Sequence, residues 1–438
     1  MVKPQNQKPP FALRALAAFA VTLAALFVLL LAAYALPGEP VRDHVYDSAV
    51  KIADEGLYPK YLNFKLFQMD NYTDTIMLTE AASADEAPPL TAMMTNTAYN
   101  VDNFETLADD LQWYIERDWA TGAQPTDAPA LVPFSYARYW HGYLIWLRPL
   151  LLVTDITGVR VVQYLVLAVL FAAVAVLLRR RCGLRAAVWF AVSQLLVTAF
   201  WAPHQVQFFT CFAVAYAGCV WVLAKPRRSD DVCLALLVLG VVTSFCDLLV
   251  TPVLTLGLPL VCWLLEPQQR LRAGTRQCGI VVGGSLTWGV GYLLCWASKW
   301  VLAGLVTGQN VIADALHQVG VRTAADSWHG MELTWRNIFA FVYNTLNDKH
   351  LFWPLILVVV LLVALFAASI RDRQQLARAL PLGLCALMTP AWFIVLRTHS
   401  IQHGWFTWRA LGLTVFAGLA FLYYCCDVRW IAKRLKRT

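Results

Sequence analysis

Long unbroken apolar runs, and not alternation, dominate the hydrophobic pattern of this 438-residue chain. Helices of roughly 17 to 25 apolar residues can cross a hydrocarbon core of about 30 Å. We place such spans at 15–36, 159–178, 186–202, 205–224, 232–246, 248–265, 278–298, 351–370, 380–396 and 408–424. A transmembrane barrel would need short segments of alternating apolar and polar positions, which these are not. The expected fold class is an all-α polytopic membrane protein with about ten transmembrane helices.

Two apolar stretches need a decision. Ala15 to Leu36 follows Lys3, Lys8 and Arg14, and Ala33-Tyr34-Ala35 imitates a signal-peptide cleavage site. Its apolar run is longer than the roughly 7–15 residues of a signal core, so it reads as an uncleaved anchor. The aromatic segment YWHGYLIWLRPLLLV, Tyr139 to Val153, contains Arg148-Pro149. An Arg at the centre of a span costs about 2.5–3.5 kcal/mol. Counting this segment as a crossing would also put the later Arg clusters on the wrong side, so an interfacial helix is expected.

Composition agrees: 59% of residues are hydrophobic and 14% charged, outside the range of soluble domains. The basic residues fall in alternate loops: Arg179-Arg180-Arg181 with Arg185, Lys225 to Arg228, Arg270 to Arg276, Arg371 to Arg378, and the tail from Arg429. Lys and Arg collect on cytoplasmic loops, so both termini are expected inside an integral membrane protein of a cytoplasmic, and by expectation bacterial, membrane. The order is then a cytoplasmic N-terminus 1–14, a first span 15–36 and an outer loop 37–158 with interfacial helices. Spans two to seven follow over 159–300, a second outer loop over 301–350, three spans over 351–424 and a basic tail 425–438. The lipid bilayer is an expected partner; nucleic acid is not.

The eleven cysteines lie mostly within apolar runs, and none falls between Pro37 and His141, which argues against a disulfide framework or a zinc ribbon. All eight histidines land on the outer side of this topology. Polar residues avoid lipid in any case, but neutral imidazoles among carboxylates also suit proton transfer or anion binding.

Candidate chemistry concentrates on that side. In QMDNYTDTIML, residues 68–78, Asp70 and Asp74 flank hydroxyls just before a short helix. Asp74 could cap that helix while Asp70 forms a turn. Alternatively the two serve as a general base and its orienting or metal-binding partner. Asp43 opens an amphipathic helix close behind the first span, either as its cap or as an acid facing a lipid headgroup. Arg397, His399, His403 and Arg409 cluster at the outer mouth of the last two spans. His399 and His403 have metal-pair spacing without a third ligand, whereas the cations suit a phosphate. Asp247 sits between two apolar runs, as a cap for the returning helix or as a functional acid. Arg138 and His141, just before the interfacial helix, are further candidate substrate contacts.

Two stretches resemble polytopic glycosyltransferases of the GT-C class, which include protein O-mannosyltransferases and lipid A aminoarabinose transferases. One is the acid-led helix Asp43 to Gly56; the other is Tyr139 to Leu151 followed by Thr154-Asp155-Ile156-Thr157-Gly158-Val159-Arg160. The resemblance covers roughly the first 180 residues and the layout of the spans. It implies a helical bundle with a catalytic acid in the first outer loop. It further implies a polyprenyl-phosphate-linked sugar donor, an acceptor hydroxyl on a glycan, lipid or protein, and inversion at the anomeric carbon. Members carry Asp-Glu or Asp-Asp after the first span; here Asp43 is followed by His44, which shifts weight to Asp70 and Asp74. No cofactor is required by the pattern, although a divalent metal could bind the paired acids. A lipid-linked glycan flippase and a non-catalytic envelope-assembly protein are the competing expectations.

Overall fold

The computed structural model describes residues 9–100, 132–270, 272, 274–323, 327–328, 331–332, 334–346 and 373–425, with scattered positions in 353–364. Among these, seven helices are long and apolar enough to cross a membrane, so the chain is an all-α integral membrane protein. They begin with α1 (Phe11–Tyr34). A loop layer follows: α2 (Glu39–Glu55), α3 (Asn71–Ala82), α4 (Pro89–Thr95) and α5 (Leu144–Leu151), with the antiparallel pair β1 (Thr97–Asn100) and β2 (Val132–Ser135). The bundle resumes with α6 (Ile156–Cys182), α7 (Leu184–Leu196), α8 (Val206–Ala224), α9 (Ser229–Cys246), α10 (Val253–Leu265) and α11 (Gly274–Thr307). After α12 (Val311–Thr323), the two-residue strands β3 (Ser327–Trp328) and β4 (Met331–Glu332) and α13 (Trp335–Leu346), the chain re-enters with α14 (Arg373–Val395). Then come α15 (Arg397–Gln402) and, through short helical turns from Gly404, α16 (Leu411–Cys425).

Lipid-facing character is visible in what the long helices leave uncovered. Leu16, Val21 and Val28 on α1, Val161, Leu165 and Val169 on α6, and Leu286 and Leu293 on α11 are all exposed large apolar side chains. Such a surface is stable against hydrocarbon and not against water. Helix–helix contact, by contrast, uses small residues. A Cβ on Gly240 would lie 2.2 Å from the Trp288 carbonyl oxygen, and one on Gly291 would lie 2.3 Å from that of Leu237. These glycines let the α9 and α11 backbones touch. Polar glue supplements the contact: Trp288 Nε1 donates to Thr255 Oγ1 at 3.0 Å, and the Thr243 hydroxyl meets the same oxygen at 2.8 Å.

Several expected spans change shape. The run 186–202 is helical only over Leu184–Leu196; Thr198 takes a left-handed conformation (φ 51°) and the turn Ala199–His204 contains Pro203. The run 248–265 starts at Val253, because Asp247 forms a turn and Pro252 precedes the helix. At thirteen residues each, α7 and α10 rise about 20 Å, less than a full crossing. Every residue of α10 is buried, so its irregular entrance is shielded from lipid by other helices. Span 278–298 becomes a 34-residue helix, α11, whose length carries it beyond the bilayer into the loop layer. Most of span 351–370 lies outside the described residues, as does the tail from 426. The expected interfacial helix is α5, eight residues long with Pro149 inside it.

The basic loops meet at one end: Arg181 pairs with Glu266 at 2.8 Å, Arg14 with Asp230 at 3.4 Å, and Arg270 donates to the Arg378 carbonyl at 3.3 Å. The ten described cysteines are free. A Gly291→Leu substitution is expected to force α9 and α11 apart at a cost of about 1–3 kcal/mol. A lowered midpoint in detergent thermal unfolding, with Gly289→Leu (no neighbour within 4 Å of its Cβ) unaffected, would check it.

Candidate functional site

The 57–69 loop folds back on itself before α3. Met69 N–H donates to Pro59 O (3.0 Å), Asn71 N–H donates to Leu57 O (2.9 Å), and Lys60 bridges to Gln68. This closure delivers Asp70 as the N-cap of α3: Oδ1 accepts from the Thr73 N–H at 3.1 Å and Oδ2 from the Thr73 hydroxyl at 2.7 Å. The expected roles are thus reversed, because Asp70 caps the helix and Asp74 does not. Asp70 Oδ2 also accepts from Gln207 Nε2 at 2.8 Å, so both its oxygens are engaged.

One turn later, Asp74 is fully buried against the N-terminus of α8, where Oδ1 accepts from the Val206 N–H at 3.0 Å. Its Oδ2 is buried with no hydrogen-bond partner. Burial raises the Asp74 carboxyl to about 8; nearby Arg160 opposes the shift, Asp70 adds to it, and the amide N–H groups of Val206 and Gln207 lower it. Burial likewise raises Asp70, against its donors. Two acids thus face the positive end of a membrane helix.

Arg160, which leads α6, fastens this layer. Its Nη1 and Nη2 hold Glu55 at 2.6 and 2.9 Å, and Nη2 reaches Asn71 Oδ1 at 3.4 Å. Asn71 in turn donates to Glu55 (3.1 Å) and to the Gly56 carbonyl (2.8 Å). Beside it His204 meets the Tyr164 hydroxyl and stacks on Trp201 at 4.0 Å; burial, then Arg160, push the imidazole down to about 4.

Arg409 comes to the same layer from the far end of the chain. It is 1% exposed, and its Nη2 donates to the Leu66 carbonyl at 3.1 Å. Its Nε and Nη1 have no partner, and the guanidinium lies 4.9 Å from the ring centroid of Phe208, the neighbour of Gln207. His403 packs on Phe406 (5.2 Å), which packs on Phe208 (5.6 Å). His399 packs against His403 with the rings tilted, 4.7 Å between centroids. Its Nε2 donates to the Leu249 carbonyl and Nδ1 accepts from Arg322, each at 2.9 Å, which fixes a neutral tautomer. Burial, then His403 and Arg322, hold its pKa well below the usual imidazole range. Asp247 presents that carbonyl: it accepts from the Val250 N–H at 3.2–3.3 Å across a turn in which Leu249 has φ 65°. Asp247 therefore holds a turn and does not cap the returning helix; burial raises it to about 7.

The remaining candidates are dispersed. Asp43 is exposed in the second turn of α2, which begins at Glu39 after Gly38, so it is not the cap expected of it. Among the described residues it makes no hydrogen bond or ion pair with the other candidates. Arg397 turns to the Thr323 carbonyl (3.0 Å). Arg138 pairs with Asp314 (3.4 Å) and covers Tyr136 (4.5 Å). His141 is buried, its Nδ1 2.8 Å from Glu80 and its Nε2 3.2 Å from the Tyr136 carbonyl. Glu80 also accepts from the Tyr143 hydroxyl, making a second polar knot that packs α3 on α5. Among the described residues no three His, Cys, Asp or Glu side chains gather as a metal-ligand set.

Residues that sequence reading passed over include Glu80, Arg322, Gln207 and Lys299. Lys299 Nζ is fully buried and donates to Asn96 Oδ1 and the Met93 carbonyl, both at 2.6 Å. A lone Lys or Glu within or beside an apolar run is the signal that would have flagged Lys299.

No family model, curated protein or solved structure matches this chain.

Arg160→Met is expected to cost about 1.5–3 kcal/mol, because it removes the charge-assisted partner of half-buried Glu55, and pairing it with Glu55→Leu should recover part of the loss. Detergent unfolding of the two variants checks this. Burial raises Glu55, but Arg160 outweighs it and lowers the pKa. The pair's contribution is therefore present above the ordinary carboxyl range and lost as pH falls through the depressed value, a limb Arg160→Met should lack. Asp74 has the opposite sign: its contribution is full below about 4 and is lost as pH rises through about 8.

Proposed function

We propose that this chain is a membrane glycosyltransferase that moves a sugar from a polyprenyl-phosphate carrier to a hydroxyl of a cell-envelope acceptor. The observation that carries the reading is Asp74: a fully buried carboxyl, poised at about 8, with one oxygen unpartnered and a partly unpartnered Arg409 on the same polar layer. A base with a pKa near the working pH is matched to removing a hydroxyl proton. A buried guanidinium with two unused donor nitrogens is matched to a phosphate oxyanion.

In this mechanism the acceptor oxygen attacks the anomeric carbon as its proton passes to Asp74 Oδ2. The bond from that carbon to the carrier phosphate breaks, and its electron pair remains on the phosphate oxygen, stabilised by Arg409. Asp70, saturated by Thr73 and Gln207, positions the start of α3 and takes no proton. The carrier's chain has apolar surface to follow at membrane depth. A groove of about 220 Å³ is lined by Leu167, Phe171, Phe200 and Pro203 and by Tyr164, whose hydroxyl meets His204.

Purified protein incubated with a radiolabelled polyprenyl-phosphate sugar and crude envelope acceptor, with and without Mg²⁺, is expected to transfer label. Asp74→Asn should reduce the rate about 10²–10⁴-fold. The wild-type rate should rise with pH, be half-maximal near 8 and level off above it, because Asp74 acts deprotonated. Arg409→Gln should chiefly weaken carrier binding. Wild-type protein that binds the carrier and never transfers would sink the enzyme reading, and movement of labelled carrier across liposomes would replace it with a flippase.

A further inference from the structure

A groove lies at the basic end, across the bundle from Asp74. It has a volume of about 690 Å³, inside the roughly 300–1,000 Å³ of small-molecule sites, and opens between α1, α8 and α9. Its walls are apolar: Ala18 on α1, Ala217 and Trp221 on α8, Ala235 and Val238 on α9. Gly218 forms part of the floor, where a Cβ would stand 2.9 Å from Leu239. Its mouth is charged and organised. Arg227 folds flat over the Trp221 ring (3.7 Å to the centroid), held by Nε and Nη2 donating to the Trp221 carbonyl at 3.1 and 2.8 Å. Lys225 and Arg228 flank it, exposed. Asp230 and Asp231 are answered by Arg14 at 3.4 and 3.9 Å. Four cations thus face two carboxylates.

We propose that this groove binds an anionic phospholipid of the adjacent leaflet, one acyl chain lying between α1, α8 and α9 and the phosphate held by Lys225, Arg227 and Arg228. The apolar walls recognise the chain by removing it from the bilayer's motion. The surplus positive charge at headgroup depth selects a net-negative head over a zwitterionic one. Arg227 suits the role because its stacking on Trp221 orients the guanidinium before any lipid arrives. The site is independent of the transfer chemistry at the other end.

Two measurements test the proposal. Full-length wild-type protein in mixed micelles is exposed to phosphatidylglycerol bearing a photo-activated diazirine in its acyl chain, and adducts are mapped by mass spectrometry. Adducts on Ala217–Trp221 and Leu234–Leu239 are expected, competed away by unlabelled phosphatidylglycerol but not by phosphatidylcholine. Adducts only on other segments, or equal competition by the two lipids, would overturn it. In the second, phosphatidylglycerol affinity is read from the lipid-dependent rise in Tm. Each of Arg227→Gln and Arg228→Gln should weaken it roughly fivefold, and Ala235→Phe, which fills the groove, should abolish labelling. Labelling unchanged by Ala235→Phe would place the lipid elsewhere and refute the site.

Discussion

Arg160 grips Glu55 with both terminal nitrogens, and through this partly buried pair the polar loop layer is tied to the membrane bundle. Glu55 ends α2, Asn71 begins α3, and Arg160 belongs to the first turns of α6, so one guanidinium fixes three helix ends at once. A buried ion pair adds little net stability over well-packed apolar groups, because desolvation offsets most of the attraction. What it supplies here is register. With α3 held, Asp74 meets the Val206 N–H that opens α8, and Asp70 meets the side-chain amide of the next residue, Gln207.

From that arrangement the chemistry of Asp74 follows. Removal from water penalises its charged form more than the helix end and Arg160 favour it, so the carboxyl exchanges its proton near neutrality. Arg409 is left in the complementary condition, buried with one backbone carbonyl and two aromatic rings for company and two nitrogens unused. A buried cation without an acid partner is costly unless something else brings the negative charge. In the proposed reaction the carrier phosphate would offset that cost, which is why the acid and the cation are read together.

The two ends of the bundle divide the work. At the loop end, several buried ionisable groups are specifically placed and incompletely satisfied; at the other, Arg and Lys are numerous and partly exposed, Arg14 meeting Asp230 and Asp231 near the surface and Arg181 meeting buried Glu266. The first pattern is the one on which the proposed transfer site rests, and the second surrounds the 690 Å³ groove proposed to bind lipid.

Sequence alone determined the membrane character, the helical but non-spanning form of the Tyr139–Val153 segment and the pairing of Asp70 with Asp74 ahead of a short helix. Each depends on local hydropathy or on counting charges, quantities that need no partner. Span boundaries were legible where a run is uninterrupted, as in α1 and α8. They were misread at 186–202, where a turn at Thr198 cuts the run short, and at 248–265, whose first residues belong to the turn after Asp247. Asp70 and Asp74 were recognisable as a pair, but the burial of both against the start of α8, through Gln207 and Val206, came from the fold. The convergence of Arg409 on Leu66, the dispersal of Asp43 and Arg397, and the burial of Lys299 against Asn96 were decided by tertiary structure only. A charge declares its sign in the sequence; whether it is buried, and beside what, is set by contacts between segments hundreds of residues apart.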